Sequence, residues 1–260
     1  MINSKQEKRP RLKKQKLTPE EMSLWQHIGD LRKRLLISLI ALIIGTVISM
    51  TFGEFLIEVL ARPIGGLDQL ISIEVTENVA VFMRVSLLSG FLISLPIILF
   101  QILGFILPGL TKEERRGLFM AIPFATILFI AGVVFAYFIM LPAALPFLIS
   151  FIGITTTPRL ANYYSFVTNL LFWLGVSFQT PLVVFILAKF RLVSPEALAR
   201  QWRFAIVIIA VIAAFVTPTP DPINMGLLMV PLFILYMLSI LLAKLAVRGD
   251  ESETSSVPAE

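Results

Sequence analysis

The sequence contains no cysteine and a single histidine, and only 15% of its 260 residues are charged. The absence of cysteine excludes disulfide bonds and thiol catalysis, but it leaves the redox compartment undecided. One histidine without cysteine does not complete a zinc site, so no metal or other cofactor is predicted. The motifs GxSxG and HExxH are absent, and no aspartate pair lies within the apolar segments. An enzyme is therefore not expected.

What the sequence has in abundance is apolar surface. Hydrophobic residues make up 57% of the chain, and the mean hydropathy is +0.87. This composition is too apolar for a soluble globular domain and predicts a polytopic membrane protein. The net charge of +5 comes from basic residues that flank apolar segments. Membrane orientation explains that pattern, so nucleic-acid binding is not expected.

The apolar segments predict an all-α integral membrane protein with six transmembrane helices. A bilayer core of roughly 30 Å needs about 20 apolar helical residues. The predicted spans lie near residues 35–55, 79–107, 118–151, 164–190, 204–216 and 223–243. Prolines inside most of them predict bent helices, and the end of the third span is expected to break near Pro142 and Pro146. The fifth span is too short to cross a normal hydrocarbon core, unless its edges are misplaced by a turn.

Lysine and arginine predict the orientation. One set of connecting segments carries Lys5 to Arg34, Lys112, Arg115, Arg116, Lys189, Arg191, Arg200, Arg203, Lys244 and Arg248. The opposite set carries only Arg62 and Arg159, with Arg84 near a span end. Both termini are therefore predicted to be cytoplasmic in a multi-pass protein of the cell membrane. The first apolar stretch is too long for a cleavable signal peptide, so we expect it to remain in the mature protein.

Two terminal segments differ from the membrane domain, which is predicted to span residues 18–246. Residues 1–17 form a lysine-rich arm that we expect to be disordered, with anionic lipid as its candidate contact. Residues 247–260 form a polar tail that we also expect to be disordered.

Several ordered motifs carry a resemblance to a known family. They are HIGDLRKRL before span one, FQILGFILPGLTKEERR at the end of span two, FAYFIMLPAALPF in span three, YYSFVTNLLFWLGVSFQTP in span four and VTPTPD before span six. In these stretches the chain resembles TatC, the multispanning receptor subunit of the twin-arginine protein translocase. The resemblance extends over nearly all of residues 20–246.

The resemblance implies a cup-shaped bundle of six helices that binds SRRxFLK-type signal peptides of folded cargo at its cytoplasmic face. It also implies that the chain works with the single-span subunits TatA and TatB, forms homo-oligomers within the receptor complex and uses the proton motive force rather than a nucleotide.

A receptor for paired arginines needs carboxylates, because a planar guanidinium pairs bidentately with them. Asp30, Glu113 and Glu114 are the predicted cytoplasmic acids closest to the membrane. Asp30 also stands four residues before Arg34, the spacing of a helical ion pair, and Glu114 has capping-box spacing to Thr111. The match of Asp30 and Glu114 to family positions favours the receptor interpretation. The family usually has glutamate at the position of Asp30, so the side chain that makes the contact is one methylene shorter here.

His27, Arg32 and Phe105 also belong to matching motifs and complete the predicted signal-peptide site. For Arg32, a role as a topology anchor is an equally good interpretation.

Three further residues are predicted to dock partners or to support the fold. Gln179 occupies a position where the family usually has glutamate, so no proton-relay role transfers to it. Its amide either docks a partner helix or bonds within its own bundle. Pro63, followed by Gly65 and Gly66, predicts a sharp turn in an ordered outer cap, and the resemblance implies that this proline is needed for transport. Asp221 lies in the VTPTPD turn.

Two other functions remain open from the residues alone. An ion-coupled small-solute transporter predicts ionisable groups near the membrane midplane, whereas the polar residues there are mainly the neutral Gln101, Asn169 and Gln179. No internal repeat is evident, which also weakens a transporter interpretation. A purely structural scaffold predicts no ligand, so specific binding of a signal peptide with two arginines would separate the three functions.

Overall fold

A computed structural model of the chain describes residues 24–106, 112–150, 156–217 and 222–254, and these residues are almost entirely helical. Five helical stretches are long and apolar enough to cross a membrane: His27–Met50, Glu77–Phe105, Ile122–Ile149, Leu160–Lys189 and Met225–Lys244. Each coincides with a predicted span. The prediction of an all-α membrane protein is therefore confirmed.

The first three helices are α1 (Leu24–Met50), α2 (Gly53–Ala61) and α3 (Glu77–Ile106). α1 ends five residues before the predicted edge of span one. The Thr51 hydroxyl donates to the Ile48 carbonyl at 2.7 Å, and the Phe52 N–H donates to the Ser49 carbonyl at 3.0 Å. Gly53 then packs against the Phe82 ring, where a Cβ atom would clash. This close approach turns the chain, so that α2 packs against α3.

α1 and α3 pack against each other closely because two glycines meet at their crossing. A Cβ atom at Gly90 would lie 2.5 Å from backbone atoms of Thr46, and one at Gly45 would lie 2.5 Å from the Gly90 carbonyl oxygen. Only glycine allows the two backbones to approach this closely. The outer face of α1 remains apolar and exposed, as at Leu35 and Val47, which suits contact with lipid.

The third span consists of α4 (Lys112–Phe135), a π-helical turn (Ala136–Met140) and α5 (Leu141–Ile149). Proline lacks the N–H that a regular helix needs, and its ring clashes with the carbonyl four residues earlier. The wider π-helical turn precedes Pro142, which stands at the start of α5, and so accommodates the ring. The predicted break thus occurs as a π turn, one turn earlier than the prolines themselves.

The fourth span is broken into α6 (Leu160–Ser177) and α7 (Thr180–Lys189). Pro181 stands in the first turn of α7, where its missing N–H costs no helical hydrogen bond. The residues before it, Phe178 and Gln179, form the break. The proline therefore positions Gln179 at a junction between two helices.

The remaining helices are α8 (Pro195–Arg200), α9 (Trp202–Val216) and α10 (Pro222–Thr254). The Ser194 hydroxyl caps α8 by accepting from the Ala197 N–H at 3.2 Å. α9 has 15 residues and covers about 22 Å, which is short of a normal hydrocarbon core. α10 packs against α7 and α9.

Three tyrosine hydroxyls join the last turn of α2 to the third and fourth spans. Tyr137 donates to the Val59 carbonyl at 2.7 Å, Tyr163 to Leu60 at 2.7 Å and Tyr164 to Ile57 at 2.6 Å. These bonds give the three hydroxyls acceptors and tie the end of α2 to both spans, and the Val59 carbonyl also accepts the Arg62 N–H. Tyr163 and Tyr164 are themselves buried in the main hydrophobic core.

Replacing Gly90 by alanine should destabilise the protein, because the new Cβ atom would clash with the backbone of α1 and push the two helices apart. Overpacking of this kind costs about 1 to 3 kcal/mol. Gly226 in α10 provides the matched control, since a Cβ atom there meets nothing within 4 Å. Unfolding followed by tryptophan fluorescence in detergent should give a lower midpoint for Gly90→Ala and an unchanged or higher one for Gly226→Ala. Equal midpoints would contradict the proposed backbone contact.

Candidate functional site

The sequence motifs before span one and after span two meet at one end of the α1–α3 pair, here called the motif end and defined by His27, Asp30, Arg34 and Phe105. The His27 and Phe105 rings stack with centroids 4.2 Å apart and planes inclined by 26°. α1 begins where α3 ends, so residues 78 positions apart in the sequence become neighbours. The structure therefore brings together three of the predicted site residues, His27, Asp30 and Phe105.

Asp30 is paired at the motif end. Arg34 Nε donates to Asp30 Oδ2 at 2.7 Å, and the two side chains are 24% (Arg34) and 26% (Asp30) exposed. This contact is the helical ion pair that the four-residue spacing predicts. Among the described residues, Oδ1 accepts no hydrogen bond, so the carboxylate keeps an oxygen for a second guanidinium. The ion pair and a ligand contact are therefore compatible.

Arg34 is a residue of the motif end that the sequence analysis considered only as a partner of Asp30. Its guanidinium lies against Gly104 of α3, where any side chain would displace it. Arg34 also lines an open pocket of about 280 Å³ between α1 and α3, together with Leu31, Leu35, Ser38, Gln101, Ile102 and Phe105. The lining is almost wholly apolar, with one cation at its edge. Such a pocket can hold an apolar side chain beside an ion pair.

The structure describes less of the other predicted site residues. Arg32 is exposed on α1. Glu113 and Glu114 belong to the first turn of α4, but their side chains lie outside the described part of the chain. Asp221 also lies outside the described residues.

The opposite end of the α1–α3 pair carries an ordered cap, defined here as residues 53–76 with residues 156–159. Pro63 stands in a 3₁₀ turn (Arg62–Ile64), and Gly65 and Gly66 follow with φ of 99° and 109°. These positive values need glycine and produce the sharp turn that the sequence predicts. The turn packs against α5.

An ion network holds the two parts of the cap together. Arg159 contacts Glu74 at 2.6 Å and also pairs with Glu77, whose side chain is 3% exposed. The hydrogen bonds that Arg159 donates to Glu74 and then to Glu77 raise the pKa of the guanidinium above its ordinary value, so it stays charged. Beside it, the Ile71 N–H donates to the Pro158 carbonyl at 3.1 Å. No local sequence signal relates Glu77 to Arg159, because 82 residues separate them.

Gln179 donates from Nε2 to the Ala125 carbonyl of α4 at 2.9 Å. Its Oε1 atom is buried and accepts no hydrogen bond from the described residues. The amide thus makes the bond within the bundle that was one of its two predicted roles. The Oε1 oxygen thus lacks a hydrogen bond from the described residues, but it is enclosed and is not open to a partner helix in this structure.

Comparison with known proteins identifies the family. A family model described as Sec-independent protein translocase protein (TatC) matches residues 26–231. The chain belongs to the TatC family. It is 38% identical over 226 residues to the TatC protein of Carboxydothermus hydrogenoformans, covering 86% of this chain and 93% of that one. It is also 39% identical over 234 residues to the TatC protein of Aquifex aeolicus, covering 87% and 97% of the two chains.

Solved structures agree with the family assignment. A crystal structure of the twin-arginine translocase receptor TatC superposes with a TM-score of 0.74 at 37% identity, covering 85% of this chain and 99% of the other. A second structure, of the receptor in the detergent DDM, gives a TM-score of 0.76 at the same identity, covering 84% of this chain and 99% of the other. The family consists of protein translocase receptor subunits and not of enzymes, as the sequence analysis expects.

Proposed function

We propose that this chain is the receptor that binds twin-arginine signal peptides of folded proteins at the cytoplasmic face of the cell membrane. The observation that carries the proposal is the motif end, where His27, Asp30 and Phe105 come together in a member of the TatC family. Oδ1 of Asp30, which accepts no hydrogen bond from the described residues, accepts one guanidinium of the arginine pair. Glu113 and Glu114, in the first turn of α4, supply the carboxylates for the other.

Arg32 and Arg34 balance the charge of these carboxylates at the motif end. Arg34 keeps the Asp30 carboxylate oriented, while Arg32 is exposed on a different side of α1. The stacked rings of His27 and Phe105 form a flat apolar surface on which an arginine stem can lie. The adjoining apolar pocket is suited to the hydrophobic residues of a signal peptide.

The proposed topology has six spans, with α9 as the short fifth one, in a cup-shaped bundle. Both termini lie in the cytoplasm, because the connecting segments on that side hold most of the lysine and arginine. The motif end then faces the cytoplasm and the cap faces outward. The short α9 requires a locally thinned bilayer or access of water at its outer end.

The proposed partners are TatA-type and TatB-type single-span subunits and further copies of this chain, in an assembly that the proton motive force drives. Gln179, a partly exposed residue at the break between α6 and α7, is the proposed contact for a polar residue on a single-span helix. We also assign a docking or structural role to Asp221, the residue that precedes Pro222 in the sequence.

Removal of the carboxylates should weaken peptide binding. Glu114→Ala and Asp30→Ala should each reduce affinity for a twin-arginine signal peptide, with about tenfold or more for Glu114, because hydrogen bonds between charged groups contribute about 1.5 to 3 kcal/mol. A peptide with two lysines in place of the arginines should bind the wild-type protein no more tightly than the twin-arginine peptide binds the variants. Fluorescence anisotropy with the purified protein in detergent measures both affinities.

Arg34→Gln is the control for Asp30, since it breaks the same ion pair and leaves the carboxylate in place. If the ion pair alone mattered, Arg34→Gln and Asp30→Ala would have equal effects. Unchanged affinity in the Asp30→Ala, Glu114→Ala double variant would show that the site is misplaced. Reduced protein abundance with normal affinity would favour helix capping by Glu114.

Pro63→Leu should abolish transport while leaving signal-peptide affinity unchanged. Leucine does not restrict φ as proline does, so the turn that packs against α5 loses its shape, whereas the motif end lies at the other end of α1 and α3. Leu67→Ala, an exposed change in the same segment, should leave transport intact. Export of a twin-arginine reporter and the peptide-binding assay measure the two activities. Equal loss of both would indicate general misfolding instead.

Gln179→Leu should reduce cargo-dependent recruitment of a TatA-type partner without changing signal-peptide affinity, and Gln179→Glu should be tolerated. Hydrogen bonds between membrane helices contribute about 0.6 to 2 kcal/mol, so a partial loss is expected. Thr180→Val, at the exposed neighbour, is the control. Site-specific crosslinking in membranes measures recruitment. If Gln179→Leu recruits the partner normally but unfolds at a lower midpoint, the role of Gln179 is limited to its hydrogen bond with the Ala125 carbonyl.

A further inference from the structure

Arg84 is an exposed cation within the candidate span formed by α3. It makes no ion pair or hydrogen bond with any residue in the described part of the chain, whereas Arg34 and Arg159 are both paired. Holding a charge within a membrane segment is costly, and such residues usually mark a binding site. Arg84 is not part of the motif end or of the cap, so the proposed receptor function does not account for it.

Arg84 lines an open pocket of about 340 Å³ between α1, α3 and α6. Asn169 of α6 lines the same pocket, and the rest of the lining is largely apolar, with Leu42, Leu87, Phe91 and Phe172. Thr168 also contributes, but its hydroxyl donates to the Tyr164 carbonyl at 2.6 Å and has no proton left to offer. The pocket thus combines one guanidinium and one amide, both donors, with a hydrophobic wall.

We infer that this pocket binds an anionic phospholipid from the leaflet nearer the cap. The guanidinium of Arg84 pairs bidentately with the phosphodiester, and the amide of Asn169 donates to a remaining oxygen. The apolar wall holds part of an acyl chain. Arg84 lies seven residues after Glu77, about 10 Å along the helix, and its flexible stem lets the charged group reach toward the headgroup level.

The shape of the pocket favours a lipid over a partner helix or free phosphate. On α3 the lining extends only from Arg84 to Phe91, about 10 Å, whereas a membrane helix packs along a groove that runs most of the span. A free phosphate would gain nothing from the apolar wall. A phospholipid carries both the anion and the chain that the two parts of the lining accommodate.

The test is titration of the full-length protein in detergent with dioleoylphosphatidylglycerol, with bound lipid measured by native mass spectrometry. Arg84→Gln should lower the apparent affinity about tenfold, and Arg84→Lys should retain part of it, because lysine keeps the charge but not the bidentate geometry. Arg62→Gln is the matched control, since Arg62 is exposed in the cap and does not line the pocket. It should bind lipid as the wild type does.

Asn169→Leu removes the amide without touching the arginine and should also lower lipid affinity, which provides a second variant if Arg84→Gln folds poorly. Wild-type lipid binding by both pocket variants, or an equal loss in Arg62→Gln, would overturn the proposal. Displacement of the lipid by inorganic phosphate would assign the site to a free anion. Normal lipid binding with lost capture of a single-span subunit would assign it to a partner's carboxylate.

Discussion

The hydrogen bonds that three tyrosine hydroxyls make to the carbonyls of α2 hold the cap on the bundle. A tyrosine hydroxyl buried without a partner is costly, so these bonds favour the arrangement in which α2 packs against both spans. Tyr137 comes from the third span, and Tyr163 and Tyr164 come from the fourth. The position of α2 therefore depends on both spans. The Arg159 network then joins the rest of the cap to the start of α3.

Proline shapes the third and fourth spans because it disturbs the hydrogen bonds of the helix backbone. Each proline removes a backbone donor, and the chain responds with a π-helical turn before Pro142 and a break before Pro181. At the second of these, Gln179 turns its amide toward the Ala125 carbonyl of the neighbouring α4. A helix break thus gives the amide access to another helix and leaves its Oε1 oxygen without a hydrogen bond from the described residues.

The α1–α3 pair connects the two ends of the molecule. Its backbones touch at Gly45 and Gly90, so neither helix can slide or rotate freely against the other. The motif end lies at one end of this pair and the cap at the other, with the Arg84 pocket on the side that faces α6. The proposed binding site and the cap therefore belong to the same closely packed pair of helices.

The sequence by itself determined the class of protein, the approximate positions of five spans and the break in the third span near Pro142, because hydropathy and proline geometry act over a few neighbouring residues. Pro96, Pro123 and Pro231 lie inside continuous helices instead. Asp30 and Arg34 could be paired from their spacing, since four residues place them on one helical face. Only the tertiary structure decided that His27 stacks on Phe105, that Arg159 pairs with Glu77 and that Arg84 shares a pocket with Asn169. These contacts depend on which helices are neighbours and on how each is rotated, and no local pattern of residues encodes that arrangement.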